Sequence, residues 1–144
     1  MKGAITQFLL LCFLAAVAGL ASWKLRGEPD PVAACVAEDI PAGEICLTAV
    51  PEDGVLWIDA RARSRYEKET IPGALLLNTN AEEDWQALLA EVAPRMFEAE
   101  LVVVFCDSAG CGASEEVASQ LRELELGPEI KVLHGGWKSW QAAR

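Results

Sequence analysis

Residues 101–114 read LVVVFCDSAGCGAS: five apolar residues, then Cys106, then a turn of small residues. An unbroken apolar run is typical of a strand that is covered on both faces of a parallel sheet. A helical pattern follows from Ser114, so Cys106 lies between a buried strand and a helix start. The free amides and the positive dipole end of a helix favour a thiolate at such a place. A cysteine that merely packs as a small apolar residue also fits this local pattern.

Strands and helices alternate on both sides of this stretch. We predict strands at residues 44–47, 55–59, 75–77, 101–105 and 130–133, and helices at residues 62–68, 82–93, 114–126 and 137–143. Ser114 is expected to cap the third helix, with Glu115 in its first turn. The alternation predicts an α/β fold with a mainly parallel, five-stranded sheet flanked by helices. In such sheets ligands bind at the carboxyl ends of the strands, where Cys106 is placed.

The N-terminal segment carries no charge from residue 4 to residue 23. A helix of that length spans about 30 Å, enough to cross the hydrocarbon core of a bilayer. Residues 1–25 are therefore predicted to be a hydrophobic helix, either a transmembrane anchor or a signal segment. We expect a single-pass membrane protein with a periplasmic (extracytoplasmic) domain, or a secreted one if the segment is cleaved. Two nearby prolines mark residues 26–43 as a linker, which leaves residues 44–144 as the domain.

The domain is strongly acidic. Without its first 27 residues the chain carries nine basic and 22 acidic side chains, a formal charge of −13. This charge argues against nucleic acid and anionic lipid as partners of the domain. The predicted membrane contact is through the N-terminal helix alone, and the sequence leaves the oligomeric state open.

Four cysteines lie outside the apolar segment, at positions 35, 46, 106 and 111. The chain has no CxxC and a single histidine, His134, so paired metal-ligand clusters are missing and we expect no metal and no other cofactor. Cys35 and Cys46 form a structural disulfide if the domain is exported. Alternatively, Cys46 is a buried strand residue and Cys35 an unpaired linker thiol.

Four segments in chain order resemble one family. LWIDAR at residues 56–61 resembles the (I/V)DxR strand of rhodanese domains, and Tyr66 followed by IPGA at residues 71–74 resembles their Y/F…GHIPGA segment. VVVFC at residues 102–106 resembles the strand that delivers the catalytic cysteine, and VLHGGW at residues 132–137 with Trp140 is similar to the closing LxGGxxxW. The resemblance spans about residues 44–140 and implies the rhodanese-like three-layer fold.

The resemblance also implies a sulfurtransferase in which Cys106 takes a sulfane sulfur as a persulfide and passes it to a thiol acceptor. The donor and acceptor are then small molecules or proteins. A persulfide anion needs converging backbone N–H donors, which a turn of small residues entering a helix can supply. The expected cradle consists of Asp107, Ser108, Ala109, Gly110, Gly112, Ala113 and Ser114.

Cys111 is the expected second thiol. It could attack a persulfide or sulfenate on Cys106, or it could have no role. Two other functions therefore stay open beside sulfur transfer. One is a thiol–disulfide oxidoreductase that uses Cys106 and Cys111, and the other is a catalytically inert rhodanese-like module that binds a partner protein.

The sequence departs from the family pattern in three respects. Thr70 stands where the family usually has histidine, and the span from Cys106 to the predicted cap Ser114 is longer than the common sulfurtransferase loop. The span also holds no arginine or lysine, so we expect it to bind phosphate badly and to disfavour thiosulfate, a dianion, as donor. Asp107 opposes the helix dipole, so the sequence gives no ground for a strongly acidic Cys106.

Asp59, Arg61 and Trp137 are the remaining candidates near the site. Asp59 and Arg61 are expected to form a buried ion pair that holds loops together, with the mouth of the active site as the alternative. Trp137 is expected as a core residue or at the pocket rim, and His134 on the surface rather than as a catalytic base.

Overall fold

A five-stranded parallel sheet forms the centre of the domain. The computed structural model describes residues 7, 35, 40–108, 110–125 and 127–144. The strands are β1 (Glu44–Ile45), β2 (Val55–Asp59), β3 (Leu75–Leu76), β4 (Leu101–Phe105) and β5 (Glu129–Leu133). Every pairing is parallel, and the order across the sheet is β1-β5-β4-β2-β3. The predicted α/β fold is confirmed, and β4, the strand that leads to Cys106, is central.

Helices connect the strands and cover the sheet. They are α1 (Arg63–Lys68), α2 (Trp85–Met96), α3 (Gly112–Glu123) and α4 (Gly136–Ala142), with a short 3₁₀ turn at Leu47–Ala49. The sequence places the end of α2 at residue 93, before Pro94, but the helix continues to Met96. The buried side chains of Val92 and Met96 account for the extension, since both pack into the core below this turn.

The two faces of the sheet bury separate apolar clusters. Val102 and Val104 of β4 join the cluster that includes Val117 and Leu121 of α3. The alternate residues of β4, Leu101, Val103 and Phe105, pack with Trp137 of α4 on the other face. Because side chains alternate across a strand, a strand covered on both faces must be apolar throughout. This three-layer packing explains the unbroken run LVVVF.

Helix α3 begins earlier than the sequence suggests. Its first residue is Gly112 and its N-cap is Cys111, so Ser114 lies in the first turn and does not cap the helix. The chain reverses after β4 within a few residues, because Gly110 adopts a left-handed conformation with φ 70°. The expectation of a long loop reaching Ser114 is therefore wrong, and Gly112, Ala113 and Ser114 belong to the helix.

The N-terminal predictions fall largely outside the described residues. The anchor or signal segment at residues 1–25 lies outside them except for residue 7, as do residues 26–34 and 36–39 of the linker. In the part of the chain that the structure describes, no helix has the length and apolar character needed to span a bilayer. Of the two interpretations of Cys35 and Cys46, the structure shows the disulfide, with the Cα atoms 5.7 Å apart.

Candidate active site

Cys106 is the first residue after the central strand. β2, β4 and β5 are parallel, so their carboxyl ends meet at one edge of the sheet, and Asp59, Cys106 and His134 lie at or just beyond those ends. Only 2% of Cys106 is exposed. The expected sulfur carrier is therefore a buried thiol at the ligand-binding edge of the sheet.

The Cys106 thiol has three polar neighbours. The hydroxyl of Ser114 donates a hydrogen bond to Sγ at 3.2 Å. The thiol itself faces two backbone carbonyls, at 3.5 Å from the oxygen of Ser108 and 3.7 Å from that of Cys111. Ser114 Oγ also lies 3.2 Å from the Cys111 carbonyl oxygen. A thiol can donate its proton to one of these carbonyls and a thiolate cannot, whereas the Ser114 hydroxyl can donate to either form.

Burial is the main reason why Cys106 is a weak acid here. Desolvation, followed by the hydrogen bond with the Cys111 side chain, raises the pKa of Cys106 from 9.0 to about 11. The bonds from Ser114 and from the Ser108 backbone lower the pKa, and the charge interaction with Cys111 raises it. At neutral pH the resting protein therefore holds Cys106 as a thiol.

Cys111 lies beside an open cavity of about 290 Å³. The cavity is lined by Pro41, Ala42, Glu44, Ser108, Gly110, Cys111, Gly112, Ser114, Glu115, Val132 and Leu133. Cys111 is half-buried and is free, as is Cys106. Cys106 is not among the lining residues, so of the two free cysteines Cys111 is the one that lines the cavity.

Asp59 and Arg61 form a buried ion pair behind the loop. Nε and Nη2 of Arg61 donate to the two carboxylate oxygens of Asp59 at 2.9 and 2.7 Å, and the two side chains are 3% and 0% exposed. Thr70 Oγ1 donates to the same carboxylate at 2.8 Å. Thr70, the departure from the family's histidine, is thus a partner of the pair. Neither charged residue lines the cavity beside Cys111.

The planar guanidinium group of Arg61 also stacks on aromatic rings and lies close to the loop. Its guanidinium lies 4.3 Å from the ring centre of Trp137 and 5.5 Å from that of Phe105. Nη1 is 3.9 Å from the carboxylate of Asp107, the residue after Cys106. Trp137 is buried in this stack and is not among the residues that line the cavity, in keeping with its interpretation as a core residue.

The turn after β5 packs directly against the loop backbone. The amide of Trp137 donates to the carbonyl oxygen of Cys106 at 2.7 Å. A Cβ on Gly136 would overlap that carbonyl oxygen and lie 3.1 Å from the Ser108 nitrogen. Only glycine permits this approach, and the GG pair in the sequence is the signal for it.

His134 and Glu44 pair at the edge of the same region. His134 Nδ1 lies 2.6 Å from Glu44 Oε2, and its backbone amide donates to Ile45 at 2.9 Å. His134 is half-buried, not a freely exposed surface side chain. Sequence reasoning missed this pair, because the two residues are 90 positions apart and meet only through the β1–β5 pairing.

The residues of the predicted cradle occupy different places. Ser108 and Ser114 contact the Cys106 sulfur, Gly110 makes the turn, and Asp107 points outward with 54% of its side chain exposed. Gly112 and Ala113 are the first two residues of α3. Ala109 lies outside the described residues. Among the residues that the structure describes, no three histidine, cysteine or acidic side chains are placed to hold a metal ion.

Comparison with known proteins gives the family of this domain. The model of the rhodanese-like domain matches residues 46–143, so the chain belongs to the rhodanese-like domain family. No curated protein gives a significant match.

Two solved structures have a similar fold. One is the N-terminal domain of a Clostridium difficile 630 protein whose name assigns it to ATP/GTP binding, with 18% identity, a TM-score of 0.51 and coverage of 68% of this chain and 95% of that chain. The other is the BH2092 protein from Bacillus halodurans, with 18% identity, a TM-score of 0.51 and coverage of 64% of this chain and 61% of that chain. At such identities the likeness shows the fold alone.

The close approach of Gly136 to the loop backbone predicts that alanine at this position destabilises the domain. Gly136 and Gly73 both have positive φ, 57° and 81°, but a Cβ on Gly73 meets nothing within 4 Å. Both alanine variants bear the cost of left-handed backbone, about 1–2 kcal/mol. The free energy of unfolding should fall by at least about 1 kcal/mol more in Gly136→Ala than in Gly73→Ala, because the new Cβ at position 136 also displaces the loop backbone. Urea unfolding measures both losses, and equal losses would contradict the contact.

The environment of Cys106 predicts its pH dependence. Alkylation of Cys106 by iodoacetamide should keep rising with pH towards the pKa of about 11, because only the thiolate reacts. Ser114→Ala removes a hydrogen bond that lowers the pKa of Cys106, so the alkylation profile should move to higher pH. Cys111→Ser removes contributions that raise the pKa of Cys106, so the profile should move to lower pH. Mass spectrometry of the peptide covering residues 96–122 follows the reaction. A wild-type plateau reached at or below about pH 8 would contradict this account.

Proposed function

We propose that this protein is a sulfurtransferase that carries sulfane sulfur as a persulfide on Cys106 and passes it to a thiol acceptor. The observation that carries the proposal is the position of the Cys106 sulfur, between the end of the central strand and the first turn of α3. Membership of the rhodanese-like domain family supports the same chemistry.

The proposed cycle has two displacement steps that need no outside oxidant. In the first, a donor persulfide R–S–SH gives its outer sulfur to the Cys106 thiolate, which yields Cys106–S–SH and the thiolate R–S⁻. In the second, an acceptor thiolate attacks the same outer sulfur, which restores the Cys106 thiolate and yields the acceptor persulfide. Each step breaks one S–S bond and forms another.

The start of α3 supplies the stabilisation that such a persulfide requires. The first amides of a helix have no intrahelical acceptor. The N-cap residue Cys111 makes no side-chain capping bond, so the amides of Gly112 and Ala113 are not engaged by a cap. These amides, the helix dipole and the Ser114 hydroxyl favour a terminal sulfur anion above Cys106.

The charges around the cavity favour a donor that is not an anion. Glu44 and Glu115 line the cavity, and its described lining holds no arginine or lysine. Glu44 pairs with His134 at 2.6 Å and Glu115 with Arg122 at 2.8 Å, and solvent weakens the exposed pair of Glu115. The buried cation Arg61 is neutralised by Asp59. A dianion such as thiosulfate would meet repulsion here, whereas a neutral or zwitterionic persulfide would not.

The bond between Cys35 and Cys46 supports an extracytoplasmic location for the domain. Structural disulfides persist in oxidising compartments and are rare in the cytosol. We therefore place the sulfur-transfer reaction on the outer side of the membrane or in the periplasm, in line with the hydrophobic N-terminal segment.

The proposal predicts that the protein takes up one sulfur atom. After incubation of the full chain with cysteine persulfide, the peptide covering residues 96–122 should gain the mass of one sulfur, and fragmentation should assign it to Cys106. That peptide contains Cys106 and Cys111 and no other cysteine. The double variant Cys106→Ser/Cys111→Ser should gain nothing, and added glutathione should remove the sulfur from the wild type.

Other outcomes of this measurement identify the alternative functions. A loss of two hydrogens from the peptide, with no sulfur gained at any time, would indicate a thiol–disulfide oxidoreductase. No mass change with any donor would contradict both reactions and leave the protein-binding module.

The donor preference predicts a charge effect at Glu115. Glu115→Gln removes one negative charge from the cavity wall, so loading from thiosulfate should become several-fold faster, while loading from cysteine persulfide should change little. Glu123→Gln makes the same change at the far end of α3, away from the cavity, and serves as the matched control. Equal rates for the two variants with thiosulfate would contradict the role of cavity charge.

A further inference from the structure

The two free thiols differ in their access to solvent. Cys106 is 2% exposed and does not line the cavity. Cys111 is half-buried and forms part of the cavity wall. A donor persulfide attached to a small molecule or a protein must bring its outer sulfur into line with the attacking thiolate. Of these two sulfur atoms, that of Cys111 is the one a donor in the cavity meets.

The two thiols are also direct neighbours. The Cys106 sulfur lies 3.7 Å from the Cys111 carbonyl oxygen, so the two residues are in contact. The charge interaction with Cys111 raises the pKa of Cys106, so a negative charge on Cys111 favours the protonated form of Cys106.

We propose that Cys111 is a relay thiol, which takes sulfane sulfur from a donor in the cavity and hands it to the buried Cys106. This inference rests on the proposed function and adds the route by which sulfur reaches the carrier. It makes Cys111 a catalytic residue, since its sulfur bonds directly to the transferred atom.

The relay is balanced without a further reagent. The Cys111 thiolate attacks the outer sulfur of R–S–SH and yields Cys111–S–SH and R–S⁻. Cys106 then transfers its proton to the departing thiolate and attacks the outer sulfur of the Cys111 persulfide. The products are Cys106–S–SH and the Cys111 thiolate, and the reverse sequence delivers sulfur to an acceptor. The oxidation state of the transferred sulfur is unchanged throughout.

The cavity indicates the class of donor that the relay accepts. Glu44 and Glu115 stand on its wall beside Cys111, so a donor whose ammonium group balances its carboxylate avoids the repulsion that a donor with excess negative charge meets. With a volume of about 290 Å³, the cavity suits a small donor. We therefore assign it to persulfides of aminothiols, with cysteine persulfide as the probe.

The test compares single-cysteine variants under cysteine persulfide. In Cys106→Ser, sulfur should accumulate on Cys111, because the relay is loaded and has no thiol to pass it to. In Cys111→Ser and Cys111→Ala, loading of Cys106 should slow by about tenfold or more, because the donor must reach a buried thiol. Serine is a favoured N-cap residue, so Cys111→Ser should keep the start of α3 intact.

An internal control separates a lost relay from a damaged site. Cys111→Ser removes groups that raise the pKa of Cys106, so Cys106 should react faster with iodoacetamide while it loads sulfur more slowly. These opposite changes are expected only if Cys111 handles the sulfur. If alkylation and sulfur loading of Cys106 both become slower in Cys111→Ser or in Cys111→Ala, the loop is distorted and the proposal is overturned.

The outcomes distinguish this proposal from the proposed function. If Cys111→Ser loads as fast as the wild type and Cys106→Ser gains no sulfur, the relay is overturned and the Cys106 carrier stands. If wild-type protein gains a sulfur, then loses it as sulfide and forms a Cys106–Cys111 disulfide, attack falls on the inner sulfur and the relay is overturned. If no variant and no wild-type protein gains sulfur, the proposed function itself fails.

Discussion

The buried guanidinium of Arg61 joins most of the segments that build the site. It is paired with Asp59 at the end of β2, donates to the carbonyl of Glu69 at 2.7 Å and stacks on Trp137 of α4. Its remaining edge faces Asp107 in the loop after β4. Removing one partner of a buried ion pair costs about 3–5 kcal/mol, because the other charge is left uncompensated. The loop around Cys106 therefore depends on a charge pair that does not touch the cavity.

The ion pair between Arg61 and Asp59 also affects the acidity of Cys106. The buried cation beside the loop, Arg61, holds the loop in place, and its charge is neutralised by Asp59, so it lends little positive potential to the thiol. Burial then dominates, and the pKa of Cys106 rises to about 11. The site is poor at generating a resting thiolate, yet the first turn of α3 is well placed to hold the anion of a persulfide. In the proposed relay, the half-buried Cys111 would meet the donor and the buried Cys106 would hold the sulfur, so a different thiol would meet each demand.

The sequence predicts the fold and the position of Cys106 well, because both follow from local pattern. The run LVVVF requires burial on two faces, and the α/β alternation leaves a parallel sheet as the arrangement that provides it. Other features depend on tertiary contacts that local pattern does not encode. The sequence predicts that Ser114 caps α3, but the tight turn at Gly110 starts the helix earlier and directs the Ser114 hydroxyl to the Cys106 sulfur. The sequence pattern assigns most of residues 41–44 to a linker, and only the pairing of β1 with β5 brings this part of the cavity wall beside Cys111.

A crystal structure of the protein after treatment with cysteine persulfide would test the central claim most directly. The account predicts an additional sulfur atom bonded to Cys106 Sγ, within hydrogen-bonding distance of the first amides of α3 and of the Ser114 hydroxyl. An unmodified Cys106 after a treatment that converts other accessible thiols to persulfides would contradict it. So would an extra sulfur on Cys106 that points away from α3, because the stabilisation argued here would then be absent.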